Sequence, residues 1–197
     1  EARSEWEHLV RRSNEPERSI LAHLAYMWGW HHPAIRAAYQ SDAYNNLEIR
    51  FPTAYKSVVD KYATRTGLEE DWVFSLIRQE SAFMPQARSA VGAMGMMQIM
   101  PRTAKQLSRE LGIPTPTTRE MLTPETNVQL GTHYMQQLQK RFNGNIILAT
   151  AAYNAGPHRA NAWQPEYLPV SGDIWVETIP FSETRDYVKN ILTYQAI

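Results

Sequence analysis

Apolar residues recur at intervals of three and four along most of the chain, the spacing of one face of an α-helix. Trp6, Leu9 and Val10 share such a face. Asn14 then offers an N-cap, and Ile20, Leu21, Leu24, Ala25 and Trp28 repeat at helical intervals. Gly29 and Pro33 interrupt, and residues 33–39 read as a third short helix. Short helices with tight joints are the texture of an α-solenoid, and about one and a half helical pairs are too few to bury their own faces. This segment is therefore expected to end a longer superhelix. Residues 42–52 read as a connector stopped by Pro52, and 53–65 is amphipathic through Ala54, Val58, Val59 and Tyr62.

The texture changes at Gly67, and eight of the nine glycines lie from there on. Helices are predicted near 70–83, 101–111, 124–142, 146–154, 157–163 and 182–195. The start at Thr123-Pro124-Glu125 is well marked: an N-cap, a proline at the first helical position and an acid near the positive end of the helix dipole. Between 84 and 100, Pro85, Gly92 and Gly95 point to a structured loop with room for a small hairpin. Elsewhere the strand signal is thin, with residues 175–179 a possible extended piece. The pattern thus predicts a mainly α chain, divided into a helical segment at 1–65 and a second domain at 66–197.

Composition narrows the function. Lys+Arg and Asp+Glu are 20 each, for a formal net charge of zero. There is no basic stripe, which disfavours nucleic acid as a partner. Hydrophobic residues make up 43% of the 197, enough for a real core. No apolar run approaches the roughly 20 residues of a membrane span. The absence of cysteine excludes disulfide scaffolds, thiol catalysis and Cys-zinc sites. His31-His32 lacks metal-ligand spacing, and Gly92 and Gly95 do not form a dinucleotide fingerprint. The chain opens on Glu1 with no initiator Met and no signal-peptide pattern, so a removed leader or a longer parent is expected.

Glu80 is the first residue with chemical promise. On a helix over 71–83 it shares a stripe with Val73, Leu76 and Ile77, so a carboxylate sits on an apolar face. It also lies near the helix C-terminus, where the dipole disfavours negative charge. Desolvation and dipole both raise its pKa, and an acid still protonated near neutral pH is a general acid. The plainer reading has Glu80 pointing past the core or pairing with Arg78 or Arg88. Downstream, Pro85 is expected to end the helix, and Gly92 and Gly95 allow a tight backbone close to a ligand. Met97, Gln98 and Met100 place soft apolar surface beside one amide, suited to the apolar face and hydroxyls of a sugar.

The order of these residues carries a resemblance. The chain reads Glu80-Ser81-Ala82-Phe83-Met84-Pro85, then Ser89-Ala90-Val91-Gly92-Ala93-Met94-Gly95-Met96-Met97-Gln98-Ile99-Met100-Pro101, then Ala152-Tyr153-Asn154-Ala155-Gly156-Pro157. With Glu177 to Arg185, this resembles the soluble lytic transglycosylases of bacteria over nearly all of 66–197; Met96 stands where the family usually has Leu. The resemblance implies a lysozyme-like catalytic domain, helical with at most a tiny β-hairpin, preceded by the last helices of an α-superhelix. It implies Glu80 as catalytic acid/base, with Ser89, Gln98, Met100, Tyr153 and Glu183 along the glycan groove. Tyr187, one turn on from Glu183, could share that face. Plainer roles stay open: Ser89 capping a turn, Tyr153 in the core, Met97 and Met100 as packing, and Glu183 favouring a helix dipole.

Between Glu80 and Tyr153 the acids are Glu110, Glu120 and Glu125, none a convincing partner for a two-carboxylate glycosidase. The resemblance implies a single-acid route instead. Glu80 would protonate the oxygen between N-acetylmuramic acid and N-acetylglucosamine, then deprotonate the muramic 6-hydroxyl to close a 1,6-anhydro ring, with no metal or cofactor. The implied partner is the peptidoglycan glycan strand and the implied location the periplasm. A lysozyme-type hydrolase and a non-catalytic glycan-binding or assembly module are the alternatives.

Overall fold

The computed structural model describes residues 2–164 and 170–197. The N-terminal part holds α1 (Ala2–Arg12), α2 (Glu15–Met27) and α3 (His31–Ala38), a 3₁₀ turn at Asp42–Asn45 and α4 (Leu47–Arg50). Asn14 caps α2 in a full capping box with Glu17. The α2–α3 contact is built on alanines: Ala22, Ala25, Ala34, Ala37 and Ala38 are fully buried. Such small side chains let the two helices approach closely, which turns the larger Ile20 and Trp28 outward; Leu9 of α1 is exposed as well, and all three depart from the predicted face. Trp28 and Trp30 instead pack edge-to-face on Trp6 at ring-centroid distances of 6.0 and 5.8 Å. The connector expected at 42–52 is largely helical, because Ala43 and Ile49 bury themselves against α2 and α3.

After α5 (Lys56–Thr66), Gly67 ends the helix in the left-handed conformation, and α6 (Glu70–Ser81) begins three residues later. There follow α7 (Pro101–Glu110), α8 (Thr118–Met121), α9 (Pro124–Arg141), α10 (Ile146–Ala155), α11 (Pro157–Ala162), α12 (Gly172–Thr178) and α13 (Ser182–Gln195). Thr123 caps α9 as expected, accepting from the Thr126 amide. Helix α10 is apolar on every side and lies in the middle, against α9, α11 and α13. Helix α6 packs on α13 and buries Trp72, Val73, Leu76 and Ile77; the Trp72 indole donates to Thr150 of α10 at 3.0 Å. The extended piece expected at 175–179 is helical up to Thr178. Burial of Trp175 and Val176, with the Trp175 indole donating to the Trp163 carbonyl, overrides their strand preference. The only pairing resembling a sheet among the described residues is a pair of isolated bridges, Arg88 with Met94 and Met94 with Ile99.

The loop between α6 and α7 is pinned from the far side by Asn127 of α9. Its side chain is fully buried. Its Oδ1 accepts from the Met97 amide at 2.7 Å, and its Nδ2 donates to the Met94 and Met121 carbonyls at 2.9 Å. Gly95 has φ +77°, and a Cβ there would collide with the Asn127 side chain, so only glycine fits. Replacing Asn127 by Ala strands the Met97 amide and the Met121 carbonyl in the interior, while the Met94 carbonyl keeps its bond from the Ile99 amide. Asn127→Ala is expected to cost about 3 kcal/mol or more, measured by urea denaturation.

Candidate active site

Glu80 occupies the last turn of α6, on the stripe formed by Val73, Leu76 and Ile77. The helix stops at Ser81, earlier than the expected residue 83 and without help from Pro85. Ala82 (φ +49°) and Phe83 (φ +62°) are both left-handed and turn the chain away. Ser81 secures this turn: its hydroxyl donates to the Met96 carbonyl at 2.8 Å and accepts from the Met84 amide at 3.2 Å. The helix bearing the acid and the loop beyond it are thereby bonded to each other.

The carboxyl of Glu80 makes no pair with Arg78 or Arg88. It accepts a 2.6 Å hydrogen bond at Oε1 from the Tyr187 hydroxyl of α13. Burial pushes its pKa up to about 7; the Tyr187 bond opposes this, and the charge of Glu183 adds to it. Tyr187 is buried, and its phenol is held well above its usual pKa by burial and then by the Glu80 charge, so it remains a donor. Tyr153 of α10 is raised in the same way, burial first and Glu80 second. Its hydroxyl donates to the Met97 carbonyl at 2.8 Å, and its ring packs on Tyr134. Thr184 of α13 ties back to α10 by donating to Asn154 Oδ1 at 2.6 Å. Helices α6, α10 and α13 thus converge on one carboxylic acid.

The remaining sequence-derived residues fall into place unevenly. Ser89 takes the turn-capping role, with its hydroxyl accepting from the Ala93 amide at 2.9 Å. Gln98 sits at a left-handed position (φ +48°) and donates from Nε2 to the Gly95 carbonyl. Met100 is 38% exposed, whereas Met97 is fully buried and belongs to the core, contrary to its expected place on a ligand surface. Space explains this: Gly131 of α9 leaves the hollow that the Met97 side chain fills. Glu183 lies exposed in the first turn of α13, close enough for its charge to act on Glu80. Glu110, Glu120 and Glu125 are engaged elsewhere, by Gln106, by the amide and hydroxyl of Thr117, and by Lys61 and Tyr62 respectively. No cluster of three potential metal ligands occurs among the described residues. Ser81 and Asn127 were given no role by the sequence reading. A polar side chain inside the apolar run of α9 was the available signal for Asn127.

Residues 57–168 match the family model described as the transglycosylase SLT domain, residues 1–47 the soluble lytic murein transglycosylase L domain, and 178–197 the soluble lytic transglycosylase helical domain. The chain belongs to the SLT transglycosylase family. It is 40% identical over 197 residues to the soluble lytic murein transglycosylase of Salmonella typhimurium, covering 99% of this chain and 30% of that protein. It is also similar to the structure of an inactive Glu-to-Gln mutant of lytic transglycosylase Slt from Pseudomonas aeruginosa, with TM-score 0.94 and 46% identity over 98% of this chain and 32% of that one. The 70-kDa soluble lytic transglycosylase of Escherichia coli aligns with TM-score 0.89 and 38% identity, over 99% of this chain and 32% of that one. The family member described here therefore spans about a third of the length of these relatives. Its mainly α fold is the lysozyme-like one of the family.

Two outcomes follow for the acid. Tyr187→Phe removes the hydrogen bond that favours the carboxylate, so the Glu80 pKa rises further above about 7, as followed by carboxyl 13C shifts across a pH titration. The folded-state pKa lies above the ordinary 4.5, so the folded state holds the Glu80 proton more tightly than the unfolded chain does. The resulting stability is complete below pH 4.5 and is lost as pH rises through about 7. Glu80→Gln is expected to flatten this decline, a change on the order of 3 kcal/mol in unfolding free energy between pH 4 and 8, measured by urea denaturation.

Proposed function

We propose that this chain is a lytic transglycosylase acting on peptidoglycan, with Glu80 as acid and then base. The observation that carries the reading is the Glu80 carboxyl, which lies inside the matched domain, buried on α6, with its pKa pushed up to about 7 by burial and its Oε1 held by the Tyr187 hydroxyl of α13. At neutral pH a large fraction is protonated and able to deliver a proton to a leaving oxygen.

The substrate is the glycan strand, cut at the β-1,4 bond between N-acetylmuramic acid and N-acetylglucosamine. Glu80 gives its proton to the glycosidic oxygen as the bond from C1 breaks, and the 2-N-acetyl carbonyl of the muramic sugar supports the positive charge at C1. The carboxylate then removes the proton of the 6-hydroxyl, whose oxygen bonds to C1 and closes the 1,6-anhydro ring. The acid ends protonated and no water is consumed. Tyr187 holds the carboxyl through both steps, and Tyr153 holds the loop at Met97. Met100, Gln98 and Glu183 offer apolar surface, an amide and a carboxylate to the sugars, and Ser89 shapes the turn beside them. Residues 1–65 form the end of a superhelical segment and 66–197 the catalytic domain, working in the periplasm.

Hydrolysis of the same bond is the second reading. It draws on Glu183, whose charge is felt at Glu80 and which can serve as a second carboxylate.

Digestion of purified sacculi with product mass analysis tests both readings. Transglycosylation yields anhydro ends, one water lighter than the reducing ends left by hydrolysis. Glu80→Gln is expected to lower turnover by about 10²–10⁴-fold with circular dichroism unchanged. Wild-type turnover in that variant would overturn the assignment.

A further inference from the structure

Helix α6 carries a second buried charged side chain besides Glu80. Arg78 lies two residues before Glu80, about 200° around the helix, and so points to the opposite side. There it is buried at 8% exposure. Its Nε donates to the Arg50 carbonyl at 2.6 Å and its Nη2 to the Tyr39 hydroxyl at 3.3 Å. Nη1 has no hydrogen-bond partner and the guanidinium has no carboxylate within ion-pair distance, among the described residues. Aromatic faces surround it instead: Tyr194 at 5.4 Å, Phe51 at 5.5 Å and Tyr39 at 5.8 Å. Arg50 lies over Tyr39, Tyr44 and Phe51, so a second cation shares the cluster and likewise lacks an acid. A buried guanidinium without a counter-ion is rare, because charge removed from water is ordinarily paired.

Arg78 also lines a cavity of about 500 Å³ that opens between α4, α6 and the end of α13. Phe51, Phe74, Phe83 and Tyr194 supply its apolar wall. That size and lining suit a small organic group, and of the two cations that line it, Lys56 and Arg78, only Arg78 is buried. Three acids, Glu48, Glu70 and Asp71, also line the cavity; all three are exposed, and Glu70 is paired with Lys56, which also bonds Asp60. Arg78 is therefore the one buried charge in the lining, and it has no carboxylate partner among the described residues. None of the residues assigned to the glycan groove lines this cavity.

We propose that this cavity binds an aromatic or branched apolar group ending in a carboxylate, with the carboxylate on Arg78 Nη1 and the apolar body among Phe51, Phe74 and Tyr194. A free aryl carboxylate and the C-terminal residue of a peptide share this chemistry.

Titration of the protein with 3-phenylpropionate and with N-acetylphenylalanine, each against its neutral amide, tests the site by 1H–15N NMR. The carboxylates are expected to shift the Arg78 Nε–H and the Phe74 and Ser75 amides saturably, and to bind at least about tenfold more tightly than the amides. Tighter binding of N-acetylphenylalanine assigns the site to a peptide terminus, and tighter binding of 3-phenylpropionate to a free acid. Arg78→Gln is expected to abolish the preference for acid over amide. Should that variant fail to fold, the acid–amide comparison on the unaltered protein still decides. Equal affinity of acid and amide, or no shift at these residues up to about 10 mM, would overturn the proposal.

Discussion

One carboxyl group kept out of water at the end of an apolar helix face sets the demands on the helices around it. An unpaired buried acid resists ionisation, so the fold has to supply a donor of fixed position. Tyr187 does this from α13, and α10 completes the enclosure with Tyr153 and Asn154. These helices are held together mainly by apolar burial, with Trp72, Ile77, Val188 and Ile191 inside one continuous core. Packing energy thus maintains an electrostatic state that water would erase. The proton affinity of Glu80 is a property of three helices taken together.

The loop beyond the acid is stabilised differently. It has almost no sheet, and a chain of side-chain bonds replaces the missing ladder. Ser81 holds Met96, Tyr153 and Asn127 hold Met97, and Asn127 also holds Met94. Buried polar networks of this kind specify one conformation when every member is satisfied. Methionines 96 and 97 fill the space beneath, while Met100 remains at the surface.

Much of this was legible in the residues. Helical spacing located most helix bodies, and the caps at Asn14 and Thr123 were readable because capping is local chemistry. Glu80 stood out because a charge within an apolar stripe violates the pattern around it. What escaped depends on distant parts of the chain. The turn of Ile20 to solvent reflects how closely two alanine faces approach, and the helix at Trp175 reflects burial beside Trp163. Asn127 sits 30 residues from the amide it satisfies, a separation over which no periodicity extends. The spacing of Glu183 and Tyr187 put both near one face, but only the folded arrangement separates them into an exposed carboxylate and a buried donor.

Helix ends ordinarily fray, and the last turn is the first part of a helix to open. The acid occupies such a turn, followed by two consecutive left-handed residues that continue neither helix nor strand. Phe83, the second of them, is buried against Phe74 and His31 and so anchors the turn on both sides. Loss of that anchor would release the carboxyl while the core remained folded, and catalysis tolerates little displacement of a reacting group. Any local opening at residues 81–83 would therefore reach this centre while the rest of the domain stayed folded.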